Sequence, residues 1–243
     1  MKIILQIRRF DPERDTAPHE ERYSVEVEPR DRVLDALLYV KDHIDGSLGI
    51  RYSCAHGVCG SDAMVINGKE GLACKTLVRD VAENEGDTVT IAPLSHLQVQ
   101  RDLMVDQGDF FTKYRSVKPY FIPGSTEGQE ETSEEQRQTQ EDRKVLDDPT
   151  SCILCGACYS ACPVLDSAAG FVGPAALVNA ARFVFDTRDV GLMARIDELD
   201  RPDGVWACEN HFECTRVCPR SIKITKSINL TKRRIQQARG TPQ

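Results

Sequence analysis

The chain has 243 residues, enough for one large domain or two small ones. Its 31 basic and 38 acidic residues give a net charge of −7, which disfavours a nucleic-acid-binding protein. No apolar run approaches the roughly 20 residues of a membrane-spanning helix, and the N-terminus does not resemble an export signal. We therefore expect a reducing compartment, where the ten cysteines bind metal or do redox chemistry instead of forming disulfides.

The N-terminal part of the sequence begins with strand and helix signals. Alternating apolar side chains predict strands over residues 2–9 and 23–28. Residues 31–44 place apolar side chains at helical spacing, with Asp31 as the expected N-cap. These elements predict a small α+β module.

Further strands follow in the same module. Residues 63–68 and 72–78 predict a hairpin whose turn is Asn67-Gly68, because this dipeptide favours tight turns between strands. Residues 87–93 predict a closing strand.

The chain is expected to divide near residue 100, into domains 1–100 and 101–243. Residues 124–148 are predicted to form a polar, acidic insert on the surface. Strand patterns disappear after residue 149, so the second domain is expected to be α-helical. Its clearest helical segments are 174–186, 190–199 and 225–238.

The ten cysteines are clustered, as ligands on tight loops are, and not scattered singly as core residues are. This distribution favours metal binding over packing. The three groups are Cys54, Cys59 and Cys74; Cys152, Cys155, Cys158 and Cys162; and Cys208, Cys214 and Cys218.

The second group has the spacing Cys152-x2-Cys155-x2-Cys158-x3-Cys162-Pro163. This is the bacterial ferredoxin run, in which three cysteines hold one cluster and the fourth ligates another. A structural zinc site instead needs four ligands on one ion, commonly as two separated pairs. The spacing therefore favours an iron–sulfur cluster over zinc.

The third group is a degenerate copy of the second. When Cys218 is aligned with Cys162, both before a proline, His211 falls at the position of Cys155. Two such runs exchange their last cysteines, so the spacing predicts two ligand sets. The set with four thiolates suits a 4Fe–4S cluster: Cys152, Cys155, Cys158 and Cys218.

The other set has only three thiolates, from Cys162, Cys208 and Cys214. Three thiolates suit a 3Fe–4S cluster, which lacks one corner iron. The alternative is a 4Fe–4S cluster completed by His211. We expect His211 to cover the cluster without binding it.

The first group nearly fits the plant-type run C-x4-C-x2-C…C of 2Fe–2S proteins. Cys54, Cys59 and Cys74 occupy three of its positions, and Asp62 stands at the third position of the run. A carboxylate can bind iron, although it is a harder ligand than a thiolate. We therefore expect Asp62 to be the fourth ligand.

Other groups of this loop are alternative ligands or neighbours. Ser53, Ser61 or solvent could complete the site in place of the carboxylate. Gly57 and Gly60 are expected to let the backbone close around the sulfurs, whose potential depends on nearby N–H groups. His56 is expected to be solvated.

A plant-type 2Fe–2S module followed by two cubane runs resembles the iron–sulfur subunit of succinate dehydrogenase and fumarate reductase. The resemblance covers nearly the whole chain and implies a plant-type ferredoxin (β-grasp) domain followed by an all-α bacterial-ferredoxin-like domain. An aspartate at the Asp62 position also occurs in that family. The motifs that carry the resemblance are RYSCAHGVCGSD (51–62), LACKT (72–76), CILCGACYSACP (152–163), GPAAL (173–177), VWAC (205–208) and C-x3-CP (214–219).

The resemblance implies a non-catalytic electron-transfer subunit. Electrons would pass from FAD in a flavoprotein subunit through 2Fe–2S, 4Fe–4S and 3Fe–4S clusters to quinone. The protein would position and tune these cofactors, so no residue of this chain is expected to act as a general acid or base. Membrane-anchor subunits would hold it peripherally on the cytoplasmic face of a bacterial inner membrane.

The resemblance weakens near the quinone. Pro163, His211 and Lys232 are the candidates for this side, and Lys232 matches a family lysine fourteen residues beyond the last cysteine. No tryptophan closely follows Pro163, and Glu209 replaces the usual histidine. Residues 163–185 are more similar to the fumarate reductase branch.

Several functions therefore remain to be compared. Succinate oxidation is the leading hypothesis, and the same subunit working in a fumarate reductase is the second. A soluble ferredoxin-like carrier needs no large helical domain. Iron–sulfur subunits of other oxidoreductases mostly lack the appended 2Fe–2S module, and a structural zinc protein is disfavoured by the cysteine spacing.

Overall fold

The computed structural model describes residues 1–124 and 135–240. Residues 125–134 of the predicted acidic insert lie outside the described residues. The strands are β1 (Lys2–Arg9), β2 (His19–Glu26), β3 (Ala63–Ile66), β4 (Lys69–Leu72), β5 (Thr88–Ala92), β6 (Val99–Arg101) and β7 (Met104–Val105). The α-helices are α1 (Val33–Tyr39), α2 (Gly108–Ser116), α3 (Gln140–Lys144), α4 (Asp147–Thr150), α5 (Ala157–Ser160), α6 (Val164–Ser167), α7 (Pro174–Val184), α8 (Leu192–Leu199), α9 (Glu213–Arg216) and α10 (Ile224–Ala238).

The described chain forms two compact units, here called the first unit and the second unit. The first unit comprises Met1–Asp109, Ile153–Ala161 and Val217–Pro219, and the second unit comprises the rest of the described chain. The second ferredoxin run therefore contributes residues to both units. The predicted division near residue 100 stays a prediction.

A mixed five-stranded sheet dominates the first unit, with the strand order β2-β1-β5-β3-β4. β1 pairs with β5 in parallel, and the other pairs are antiparallel. Ile3, Leu5 and Ile7 alternate along β1 and are buried, as the period of two predicts. The strands predicted at 2–9 and 87–93 are confirmed, whereas the predicted strand at 23–28 begins earlier, at His19.

The predicted helix 31–44 consists of α1 followed by a π-helical turn over Val40–Ile44. The prediction of Asp31 as N-cap is wrong, because the N-cap is Arg32. The backbone N–H of Arg32 donates to Asp35 at 3.0 Å, so the N-cap is held by a carboxylate of the first turn. The Asp31 carboxylate instead accepts from the backbone N–H of Glu28 at 2.7 Å.

The predicted hairpin is correct in its turn, but its second strand is misplaced. Asn67 and Gly68 both have positive φ, of 48° and 77°, as a tight hairpin turn requires. The second strand is β4, which ends at Leu72 and does not extend over 72–78. The carbonyls of Ala73 and Thr76 instead accept from the first N–H groups of α1, which leaves these residues outside the sheet.

The second unit is helical, and its described residues after 149 form helices and loops with one isolated bridge pair, Pro123 and Asp189. α7 begins with Pro174 at its first turn and is buried along most of its length. The predicted helices at 174–186, 190–199 and 225–238 correspond to α7, α8 and α10. No helix of the described residues is long and apolar enough to cross a membrane.

Candidate iron–sulfur sites

The loop that precedes β3 directs backbone N–H groups toward two thiols. The N–H of Cys59 donates to the Cys54 sulfur at 3.3 Å, and the N–H of Cys54 faces the Cys59 sulfur at 3.5 Å. The N–H of His56 also lies 3.5 Å from the Cys54 sulfur. Gly57 and Gly60 have positive φ, of 79° and 71°, which lets the loop close in this way.

These donors change the acidity of Cys54. Hydrogen bonds from the backbone N–H groups of His56, Val58 and Cys59 lower the pKa of Cys54 to about 6, because they stabilise the thiolate. The thiolate is the form of cysteine that binds a metal. The loop therefore stabilises the charge state that a cluster ligand needs.

Asp62 and Cys74 form the other half of this site. The buried carboxylate of Asp62 accepts the backbone N–H of Cys74 at 2.5 Å. Burial, with the neighbouring Asp62 carboxylate, raises the pKa of the Cys74 thiol to about 12. Ser61, a possible alternative ligand, instead lies with its hydroxyl 3.1 Å from the Cys59 sulfur. The structure thus brings Asp62 to Cys74 and Ser61 to Cys59.

Two residues of the second ferredoxin run have a left-handed backbone conformation. Leu154 and Gly156 have positive φ, of 54° and 83°, on either side of Cys155. Gly156 precedes α5, whose N-terminal residues include Cys158. Cys155 and Cys158 are both buried, and Cys218, also in the first unit, is partly exposed.

Cys152 lies in the second unit, beside α7. The amide Nδ2 of Asn179 donates to the Cys152 sulfur at 3.4 Å and to the Ala175 carbonyl at 2.9 Å. Asn179 is buried, so its amide is fixed by these two acceptors. This residue was not singled out by its sequence, because nothing in the helical pattern of α7 distinguishes it.

The remaining three cysteines line one cavity of the second unit, which is open to solvent. No fourth cysteine lines this cavity in the described part of the chain. Burial raises the pKa of Cys162 to about 11, although the N–H groups of Val164 and Leu165 oppose the shift. The cavity is lined by Cys162, Cys208 and Cys214 together with Pro163, His211 and neighbouring apolar and polar side chains.

His211 and Lys232 also lie at this cavity or next to it. The His211 ring nitrogen Nε2 lies 2.9 Å from the Glu209 carboxylate, and the ring is half-exposed. The Lys232 ammonium donates to the carbonyl of Cys208 at 2.8 Å. Lys232 thus contacts the backbone of a predicted ligand, while the nitrogen of His211 is paired with a carboxylate.

Thiolates with N–H donors to sulfur are the surroundings that iron–sulfur clusters use. Across residues 1–124 and 135–240, no group of three or more histidine, cysteine or carboxylate side chains is arranged to hold a metal ion. In a cubane each thiolate binds a different iron, so its ligands stand farther apart than those of one zinc ion. The N–H donors around Cys54 and the cavity between Cys162, Cys208 and Cys214 fit such groups.

Comparison with known proteins identifies two iron–sulfur domain families in the chain. Residues 4–112 match the model of a 2Fe-2S iron-sulfur cluster binding domain, and residues 144–219 match that of a 4Fe-4S dicluster domain. The predicted fold class, a plant-type ferredoxin domain followed by a mostly helical dicluster domain, is confirmed.

Relatives of similar length match most of the chain. The fumarate reductase iron-sulfur subunit of Mycobacterium tuberculosis is 39% identical, over 95% of this chain and 92% of that protein. The succinate dehydrogenase iron-sulfur subunit of Coxiella burnetii is 37% identical, over 93% of this chain and 94% of that protein.

A solved structure agrees with these relatives. A chain of the Mycobacterium smegmatis Sdh1 complex in the apo form superimposes with a TM-score of 0.85 at 29% identity, covering 99% of this chain and 98% of that one. The relatives bear both enzyme names, so the similarity does not favour one direction of the reaction. The chain belongs to the family of iron–sulfur subunits of succinate dehydrogenase and fumarate reductase.

Proposed function

We propose that this chain is the non-catalytic electron-transfer subunit of a succinate:quinone oxidoreductase, with electrons passing from FAD to quinone. The observation that supports this most is the cavity lined by Cys162, Cys208 and Cys214. No fourth cysteine of the described residues lines it. Three thiolates suit a 3Fe–4S cluster, and a ferredoxin with two complete runs would supply four.

The first site is proposed to hold a 2Fe–2S cluster through Cys54, Cys59, Asp62 and Cys74. The N–H groups on the Cys54 sulfur and the burial of Asp62 support this assignment. Because Asp62 contacts the backbone of Cys74, the two ligands are positioned by the same contact.

The second and third sites are proposed to hold a 4Fe–4S and a 3Fe–4S cluster. The 4Fe–4S ligands are Cys152, Cys155, Cys158 and Cys218. When bound, the clusters supply one-electron carriers between flavin and quinone, which both exchange two electrons. The chain contributes thiolates, N–H donors to sulfur and exclusion of water, and none of its residues needs to transfer a proton.

The quinone side is proposed to lie at the cavity of the third site. Pro163 and His211 line this cavity. The ammonium of Lys232 is held against the Cys208 carbonyl, so its positive charge lies beside a cluster ligand. A cation there stabilises negative charge on a reduced acceptor. His211 is proposed to cover the cluster, since its Nε2 is paired with Glu209.

The proposed partners are an FAD-containing flavoprotein and one or more membrane-anchor subunits. The names of the relatives support this, because they are subunits of such enzymes. The chain would then be held peripherally on the cytoplasmic face of a bacterial inner membrane by these subunits. Its domains are proposed as 1–100 for the 2Fe–2S cluster and 101–243 for the other two.

The substitution His211→Cys tests the third site. The new thiolate would stand where Cys155 stands in the other run, so the cluster should gain a fourth iron. The paramagnetic signal of the oxidised 3Fe–4S cluster should disappear, and iron content should rise. Glu209→Cys is the matched control, because its side chain is off the aligned position, and it should keep the signal. Absence of the 3Fe–4S signal from the wild-type protein would contradict the proposal.

A further inference from the structure

Two threonine hydroxyls form a hydrogen-bonded chain that ends on the Cys214 sulfur. The Thr225 hydroxyl oxygen lies 3.5 Å from this sulfur and 3.2 Å from the hydroxyl oxygen of Thr215. The backbone N–H of Thr225 lies 3.2 Å from the same Thr215 oxygen. Thr225 is buried, with 2% of its surface exposed, so water does not replace these partners.

The backbone N–H of Thr225 and the Cys214 sulfur fix the direction of two of these hydrogen bonds. Thr225 is at the start of α10, where a backbone N–H has no carbonyl partner within the helix and can only donate. A metal-bound sulfur has lost its proton and can only accept. The N–H of Thr225 therefore donates to the Thr215 oxygen, and the Thr225 hydroxyl donates to the Cys214 sulfur. The Thr215 hydroxyl is a second hydrogen-bond partner of this sulfur.

We propose that Thr225 is a residue that sets the reduction potential of the third cluster, and that Thr215 positions its hydroxyl. This inference rests on the proposed function of the site. A reduced cluster carries one more negative charge than an oxidised one, so a donor on its sulfur stabilises the reduced form. Thr215 accepts from the backbone N–H of Thr225 and contacts its hydroxyl, so it holds that hydroxyl at the sulfur.

The test is a redox titration of the oxidised 3Fe–4S signal, measured on the full chain isolated with its partner subunits. Thr225→Val removes the hydroxyl and should change the reduction equilibrium by about tenfold, a fall of about 59 mV in midpoint potential. Thr225→Ser keeps a hydroxyl and should restore the wild-type midpoint. Thr231→Val is the matched control, because this buried hydroxyl of α10 donates to the Ser227 carbonyl at 2.9 Å.

The outcomes separate the inference from the proposed function. Two results would overturn the role of Thr225 and leave the cluster assignment intact. In one, Thr225→Val shows the 3Fe–4S signal with the wild-type midpoint potential. In the other, Thr231→Val lowers the midpoint potential as much as Thr225→Val does. Absence of the signal from the wild-type complex would overturn both. If Thr225→Val does not retain the cluster, Thr215→Ala decides, since it should lower the midpoint by a smaller amount while the Thr225 hydroxyl remains.

Discussion

Gly60 is the position where a single methyl group is expected to disturb two predicted clusters. A Cβ at Gly60 would lie 2.6 Å from the Cβ and 3.0 Å from the Cα of Cys155. Carbon atoms pack best about 3.5–4.0 Å apart, so the overlap is about 1 Å. The substitution Gly60→Ala would therefore displace the backbone of Cys155, a predicted 4Fe–4S ligand. The added methyl group itself lies in the loop that carries the predicted 2Fe–2S ligands Cys54 and Cys59.

A control at Gly68 isolates the cost of this overlap. Both glycines have a positive φ, of 71° and 77°, which costs an alanine about 1–2 kcal/mol. At Gly68 no heavy atom of the described residues lies within 4 Å of the added Cβ. Overpacking adds about 1–3 kcal/mol at Gly60 alone, which corresponds to a melting temperature about 2–12 °C below that of Gly68→Ala.

The assay is thermal unfolding at one fixed scan rate, with iron and sulfide analysis of the same samples. A fixed rate is needed because cluster proteins lose their cofactor irreversibly on heating. Gly60→Ala should lose 4Fe–4S and 2Fe–2S content, while Gly68→Ala should keep both. Equal melting temperatures and equal iron content in the two variants would refute the close approach of Gly60 to Cys155.

Three further predictions concern the first site and the second unit. In cluster-free protein, the rate of Cys54 alkylation should rise about tenfold between pH 5 and 7, because a pKa of about 6 makes this cysteine a thiolate at neutral pH. Cys74 should stay unreactive over the same range, since its pKa is raised. Equal alkylation rates at the two cysteines would contradict this prediction. Asp62→Ala should release the 2Fe–2S cluster while Asp62→Cys retains it, as measured by absorption and iron analysis; full retention in both would show that Asp62 is not a ligand. Asp189→Ala should destabilise the second unit by about 3–5 kcal/mol in denaturant unfolding, since it leaves the fully buried Arg195 without its carboxylate; a loss below about 1 kcal/mol would argue against the pair.

The sequence predicted the elements whose signal is local. β1 shows a two-residue alternation, and α7 begins with a proline followed by apolar residues at helical spacing. The cysteine spacing also predicts three groups of ligands, because chelation by a tight loop depends on residues that are close in sequence, and this assignment stays a prediction. These features need no knowledge of the tertiary fold.

The errors arose where distant segments compete for the same backbone groups. Residues after Leu72 have a strand-like composition, but the carbonyls of Ala73 and Thr76 accept from α1, and the N–H of Cys74 donates to Asp62. A pattern of side chains does not report such contacts. The error at Asp31 has a local cause, because its carboxylate accepts from the backbone N–H of Glu28 and is not free to cap α1.

The side chains that contact the sulfurs of the second unit could not be predicted from the sequence. Asn179 reaches Cys152 from a buried helix, and Thr215 and Thr225 meet near Cys214 although they are ten residues apart. Threonine and asparagine are common in helices and loops, so their spacing carries no signal for a cluster. Only the tertiary packing of the second unit identifies them.

The central claim, a relay of three different clusters, is tested most directly by electron paramagnetic resonance of the anaerobically isolated complex. The sample is measured after oxidation by air and again after reduction by dithionite. The account predicts a 3Fe–4S signal in the oxidised sample and a 2Fe–2S signal in the reduced one. An oxidised sample without a signal, together with two interacting 4Fe–4S centres on reduction, would contradict it and would make His211 a ligand.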